Sequence, residues 1–77
     1  MKITLADPFA ARFAGEPDLE AASIFDALRQ LDALSPGFAS EAEARAAIAV
    51  NGVLINDWIA PLPPGCAILI VPRIAGG

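Results

Sequence analysis

The stretch Cys66-Ala67-Ile68-Leu69-Ile70-Val71-Pro72-Arg73-Ile74-Ala75-Gly76-Gly77 decides how this chain is read. Its first six residues are apolar at every position, which suits a central strand with neighbours on both edges rather than a half-buried one. Pro72 closes the run, and two glycines finish the sequence. Glycine makes up about 7% of an average chain, so a terminal pair arises by chance roughly once in two hundred sequences. Lacking a Cβ, both residues can enter a channel too narrow for any other residue and deliver a carboxylate at its end. A frayed end without a role is the competing interpretation. The strand running straight into the tail argues against it.

Immediately upstream, Pro61-Leu62-Pro63-Pro64-Gly65 is an irregular lead-in, because proline cannot donate to a ladder. Before it lies the strongest local signal in the chain, Ile48-Ala49-Val50-Asn51-Gly52-Val53-Leu54-Ile55. Asn-Gly between two apolar runs predicts a hairpin closed by a two-residue type I′ turn. Ser23 as N-cap, with Asp26 in the first turn, predicts a helix from Ile24. Ile24, Ala27, Leu28, Leu31 and Leu34 fall on one stripe, Arg29, Gln30 and Asp32 face water, and Ser35-Pro36-Gly37 ends the helix. Ser40 and Glu43 have capping-box spacing, which predicts a short second helix to about Ala46 with an alanine-only face that buries little. At the start, Lys2-Ile3-Thr4-Leu5 reads as a strand stopped by Asp7-Pro8, then a helical turn from Phe9 to Gly15, then a weak second strand around Leu19. The expected architecture is α+β: a mixed sheet of about five strands under one main helix, with the first and last strands free to pair in parallel. A single covering helix would leave the other sheet face bare, which marks a protein partner unless loops cover it.

Composition narrows the class. Seventy-seven residues make one domain with a small core, and seventeen of the hydrophobic residues are alanines, so burial rests on Ile, Leu, Val, Phe and Trp58. One cysteine, Cys66, allows no internal disulfide and fits a reducing compartment. Asp7, Pro8 and Arg12 interrupt any signal-peptide pattern, and the longest apolar run is far below the roughly 20 residues of a membrane span, so a cytoplasmic, soluble protein is expected. The net charge of −4, with five scattered basic residues, disfavours nucleic acid. With no histidine and a lone thiol, metal sites and His-based acid-base chemistry are disfavoured, and a self-contained enzyme is not expected.

The element order, Val50-Asn51-Gly52 in the hairpin, Pro8-Phe9 followed by Gly15, Ala22-Ser23-Ile24 opening the helix, and Ile70-Val71-Pro72-Arg73-Ile74-Ala75-Gly76-Gly77 at the end together resemble the MoaD/ThiS family of ubiquitin-like sulfur carriers. Pro72, Ala75, Gly76 and Gly77 match its typical terminus, whereas a second proline is common where Arg73 stands. Trp58 is reminiscent of the ThiS branch; the chain as a whole is closer to the small subunit of molybdopterin synthase.

The resemblance implies a β-grasp fold and a carrier role over residues 1–77. Gly77 would be adenylated at the expense of ATP and converted to a thiocarboxylate, with no cofactor held permanently. Gly76, Ala75, Ile74, Arg73 and Pro72 would thread into partners. Those partners would be an ATP-dependent adenylating enzyme (MoeB-like) and the large subunit of molybdopterin synthase (MoaE-like), which binds the sheet and accepts the tail. A ThiS-type carrier for the thiamine thiazole and a ubiquitin-like protein modifier are the alternatives, and a binding module with inert glycines is a further one.

Individual residues carry paired interpretations. Phe9 is a candidate contact for the large subunit, with core packing equally good. Arg73 either meets acids on the loading enzyme or keeps an edge strand soluble. Trp58 anchors a partner or, the better reading, closes the small core beneath the proline segment. Cys66 is read as packing, and Glu16, Asp18, Glu20, Glu41 and Glu43 as a solvated face.

Overall fold

The Asn-Gly signal forms as expected. Strand β2 (Ala46–Val50) and strand β3 (Val53–Ile55) are joined through Asn51 at φ 51° and Gly52 at φ 82°, both left-handed, as a type I′ turn requires. In the computed structural model, which describes residues 1–73, β2 starts two residues before the expected Ile48. Strand β1 (Ile3–Leu5) and strand β4 (Ile68–Pro72) complete a four-stranded sheet in the order β1-β4-β2-β3. The last strand is therefore central. It pairs in parallel with β1 (Ile3 to Ile68, Leu5 to Ile70) and antiparallel with β2 (Val50 to Ile68, Ala46 to Pro72).

The fifth strand expected near Leu19 is reduced to a single antiparallel bridge between Lys2 and Asp18. Ile3 donates to the Pro17 carbonyl and Leu19 to that of Met1, but proline and an acid at 17 and 18 make a poor strand and the pairing goes no further. Phe9–Arg12 forms the expected helical turn, as one short 3-10 helix.

Helix α1 (Ile24–Leu34) begins where Ser23 predicts: its hydroxyl accepts from the Asp26 N–H at 3.1 Å. The Asp26 carboxylate in turn accepts from the Ala22 N–H, from Arg29 and from Gln30, and the first of these above all holds its carboxyl below the ordinary range. Phe25 N–H is satisfied from outside the helix by the Trp58 carbonyl at 2.8 Å, which ties the loop after β3 to the start of α1. Leu34, assigned to the buried stripe, is instead largely exposed, because the helix ends there and the chain turns away.

Helix α2 (Phe38–Arg45) departs from expectation at its start. Ser40 and Glu43 form no capping box; both lie inside the helix and face solvent. The cap comes from Asp32 of α1, whose Oδ1 accepts from the N–H groups of Gly37 and Ala39 at 3.1 and 3.0 Å. Asp32, in the last turn of α1, is thus half-buried against the start of α2 rather than facing water. Starting early brings Phe38 into the helix and fully into the core, beside Ala42. The second helix therefore contributes substantial burial. Its ring meets Phe9 and Phe13 edge-on, with centroids 6.1 and 5.2 Å apart.

The core lies between the two helices and one sheet face: Ile24, Leu28, Leu31 and Phe38 against Ile3, Ile48, Ile68 and Ile70, with Phe9 and Cys66 at its margins. Of the two readings of Phe9, the structure takes the packing one: the ring is completely buried and cannot be a surface contact. Cys66 is packed as expected, and Trp58, half-buried against the same cluster, closes the core.

Candidate functional site

The opposite sheet face follows from strand alternation. Ile68 and Ile70 point into the core, so Leu69 and Val71 point out. By register they lie beside Ala49 and Ala47 of β2, and Ala49 lies beside Leu54 of β3. Across three strands the outward row reads Leu54, Ala49, Leu69, which is large, small, large. Leu54 is 68% exposed and Leu69 40%, whereas Ala49 between them is only 7% exposed. The two leucines wall a shallow notch whose floor is Ala49. Among the described residues no loop covers it, so of the two expectations for this face the bare one holds.

β4 carries this face directly into the terminal segment. Pro72, exposed, ends the pairing with β2, and the next residue is held closely. Arg73 N–H donates to the Arg45 carbonyl at 2.6 Å, continuing the ladder by one bond. Its Nη2 donates to the carbonyls of Ala46 at 2.9 Å and Glu43 at 3.3 Å. The Arg73 guanidinium lies against the C-terminal turn of α2, a contact that neither reading of this residue anticipated. Beside it is a recess of about 410 Å³ lined by Ala47, Leu54, Ile55, Asn56, Trp58 and Arg73. The notch, the recess and the stem of the tail thus form one continuous surface. The predicted site residues Ile74, Ala75, Gly76 and Gly77 lie outside the described residues.

A second clamp sets the other end of the strand. Asn51 N–H donates to the Ala67 carbonyl at 2.8 Å while its side-chain Oδ1 accepts from Ala67 N–H at 2.9 Å, fixing the hairpin against the start of β4. The turn signal at Asn51 was legible, but this second task was not. Chemically the surface is largely apolar, with the Asn56 amide and the Arg73 guanidinium in the recess and Thr4, bonded to Glu16, on the far side of Leu69, so what it can do is bind and orient. Among the described residues no group of three or more His, Cys, Asp or Glu is placed to hold a metal ion, and no helix is long and apolar enough to cross a membrane.

A strand-borne terminal segment beside a bare sheet face is the arrangement that the family resemblance implies. The family model described as the ThiS family matches residues 10–77. The chain belongs to the ThiS family. Two solved structures share the fold of this ThiS-family chain. One is a chain of the protein-protein complex of subunits 1 and 2 of molybdopterin-converting factor from Helicobacter pylori 26695, 25% identical, with a TM-score of 0.67 over 99% of this chain and 96% of that one. The other is SAMP1 from Haloferax volcanii, 19% identical, with the same TM-score over 99% and 97% of the two chains. No curated protein sequence is similar enough to count as a relative. The expected fold class is confirmed as a compact β-grasp-like fold, and the family as that of the MoaD/ThiS-type ubiquitin-like sulfur carriers.

Proposed function

We propose that this chain is the sulfur carrier of a molybdopterin synthase, with Gly77 as the residue that carries the sulfur. The observation that supports this most is the whole-chain likeness to a protein solved as a complex of the two subunits of molybdopterin-converting factor. The family match, which runs through residue 77, supports the carrier role itself.

A carboxylate is a poor electrophile, so the Gly77 carboxylate attacks the α-phosphorus of ATP on an adenylating enzyme (MoeB-like), releasing pyrophosphate and forming a mixed anhydride with AMP. A sulfide-level nucleophile, hydrosulfide, attacks the carbonyl carbon, AMP leaves with the former carboxylate oxygen, and a thiocarboxylate and a proton remain. Its sulfur then displaces an oxygen substituent from a carbon of a pterin precursor, and water cleaves the carbonyl–sulfur bond to return Gly77 as a carboxylate, two loaded carriers building one dithiolene in the active site of a large subunit (MoaE-like). That subunit seats on the Leu54-Ala49-Leu69 face and takes in Ile74, Ala75, Gly76 and Gly77. Fixing the backbone of a residue on binding costs on the order of 1 kcal/mol or more, which contacts on the sheet face would offset. All steps take place in the cytoplasm.

The test is the intact mass of the full chain after co-expression with an adenylating enzyme of this class. A gain equal to one oxygen replaced by sulfur should appear and should vanish on deletion of Gly77; absence of the gain under loading conditions refutes the reading. A ThiS-type carrier for thiazole synthesis is the second reading, favoured by the matched family model and by Trp58 after the hairpin. Complementation of strains lacking one carrier or the other separates the two.

A further inference from the structure

We propose that Arg73 is a positioning residue, whose guanidinium spread over the carbonyls of Glu43 and Ala46 locks the backbone from which the terminal segment departs. This rests on the carrier reading, in which the direction of departure matters.

The need for a lock follows from the ladder. β1 accompanies β4 only as far as Ile70, where Ala6 N–H donates to the Ile70 carbonyl at 2.9 Å. From Val71 onward β4 has a neighbour on one side only, β2, through Ala47 and Ala46. The last bonded backbone group, Arg73 N–H to Arg45, would open easily with a single ladder behind it.

The guanidinium supplies the missing hold from two carbonyls that the rest of the fold leaves open. Ala46 has no β3 residue opposite it, since that register begins with Ile48 and Ile55. Glu43 lies in the final turn of α2, where carbonyls lack helical partners and the helix dipole presents its negative end. Arg73 thus fastens strand, hairpin base and helix terminus together at one point, and among the described residues it forms no ion pair with a carboxylate. Both bonds come from the two N–H groups of Nη2, which the planar guanidinium holds in fixed directions, whereas the ammonium of lysine is a freely rotating point donor on a flexible stem.

The test uses the full chain with Arg73→Ala and Arg73→Lys. In the free protein, ¹⁵N relaxation and amide exchange should show Arg73 N–H as rigid and protected, and both variants should lose that protection. In loading assays with a partner adenylating enzyme and ATP, both variants should raise the KM for the carrier about fivefold, equivalent to about 1 kcal/mol, with kcat retained and the ratio insensitive to salt. If Arg73→Lys instead behaves as wild type, or the defect disappears at high salt, charge toward the partner is the role and the proposal is overturned. Unchanged amide protection in Arg73→Ala overturns it as well. Should the wild-type chain not be loaded at all, the carrier reading fails while the relaxation measurement still decides whether the lock exists.

Discussion

Replacing Phe38 with alanine tests whether α2 is a structural element or an ornament. The ring is completely buried, is flanked edge-on by Phe9 and Phe13, and sits where α2 leaves the turn capped by Asp32. Loss of a buried phenylalanine side chain costs about 3 to 5 kcal/mol, transfer and cavity together. The two aromatic pairs place the value toward the upper half, since each is worth about 0.5 to 1.5 kcal/mol beyond area. A domain of this length has a total stability of about 4 to 12 kcal/mol. The substitution therefore removes a large share of it, and Tm should fall by roughly 15 to 40 °C. Urea unfolding followed by far-UV circular dichroism measures the loss directly, with the slope checked for constancy. Phe25→Ala is the control, because that ring is 57% exposed; its cost should stay within about 0.5 kcal/mol. A loss below about 1.5 kcal/mol for Phe38→Ala, or equal losses for both, would refute the packing argument and with it the claim that α2 anchors the stem of the tail.

Three further outcomes follow from other parts of the structure. Gly52→Ala forces a side chain onto φ 82° and should cost about 1 to 2 kcal/mol in chemical denaturation, and a neutral result would mean that the turn changes type. Asp26 has a carboxyl held down by the Ala22 N–H and by Arg29, so its contribution is present above its unfolded pKa and is lost as pH falls through its folded one. The stability gap between wild type and Asp26→Asn should therefore be widest near neutrality and narrow below about pH 4; a gap that does not narrow in acid contradicts the assignment. Leu54→Lys, on the largely exposed wall of the notch, should leave stability within about 0.5 kcal/mol of wild type while weakening binding to the large subunit by about tenfold or more, read by calorimetry.

What could be read from the sequence was what is encoded locally. Ser23 capping α1 and Asn51-Gly52 turning the hairpin each depend on a few neighbouring residues, and both formed as expected. The start of α2 did not, because its cap arrives from Asp32 across a left-handed glycine and Ser40-Glu43 mimics a signal that the backbone does not use. Phe38 was thereby left out of a helix whose visible face is alanine. The stem was less legible still. The carbonyls that hold the Arg73 guanidinium are 27 and 30 residues away in sequence, and a backbone acceptor has no residue type to betray it. The apolar run at Cys66 to Val71 raised a bare face as one of two possibilities, and the notch was not legible, since it exists only once register sets Ala49 between Leu54 and Leu69.

Register is also what joins the binding face to the tail. A shift of one residue between β2 and β4 would turn Leu69 and Val71 into the core and expose Ile68 and Ile70, since side chains alternate along a strand. The same shift would carry Arg73 away from Arg45 and from the end of α2. Asn51, bonded to Ala67 through both its N–H and its side-chain oxygen, fixes that register at one end of the ladder, and Arg73 fixes it at the other. A partner that recognises the Leu54-Ala49-Leu69 notch is thereby recognising the setting of β4 as well, and β4 is the strand that presents the terminal residues. Under the proposed carrier function, binding on the face and delivery of the tail both depend on a single alignment of strands, so a variant that loosens either clamp should impair both together.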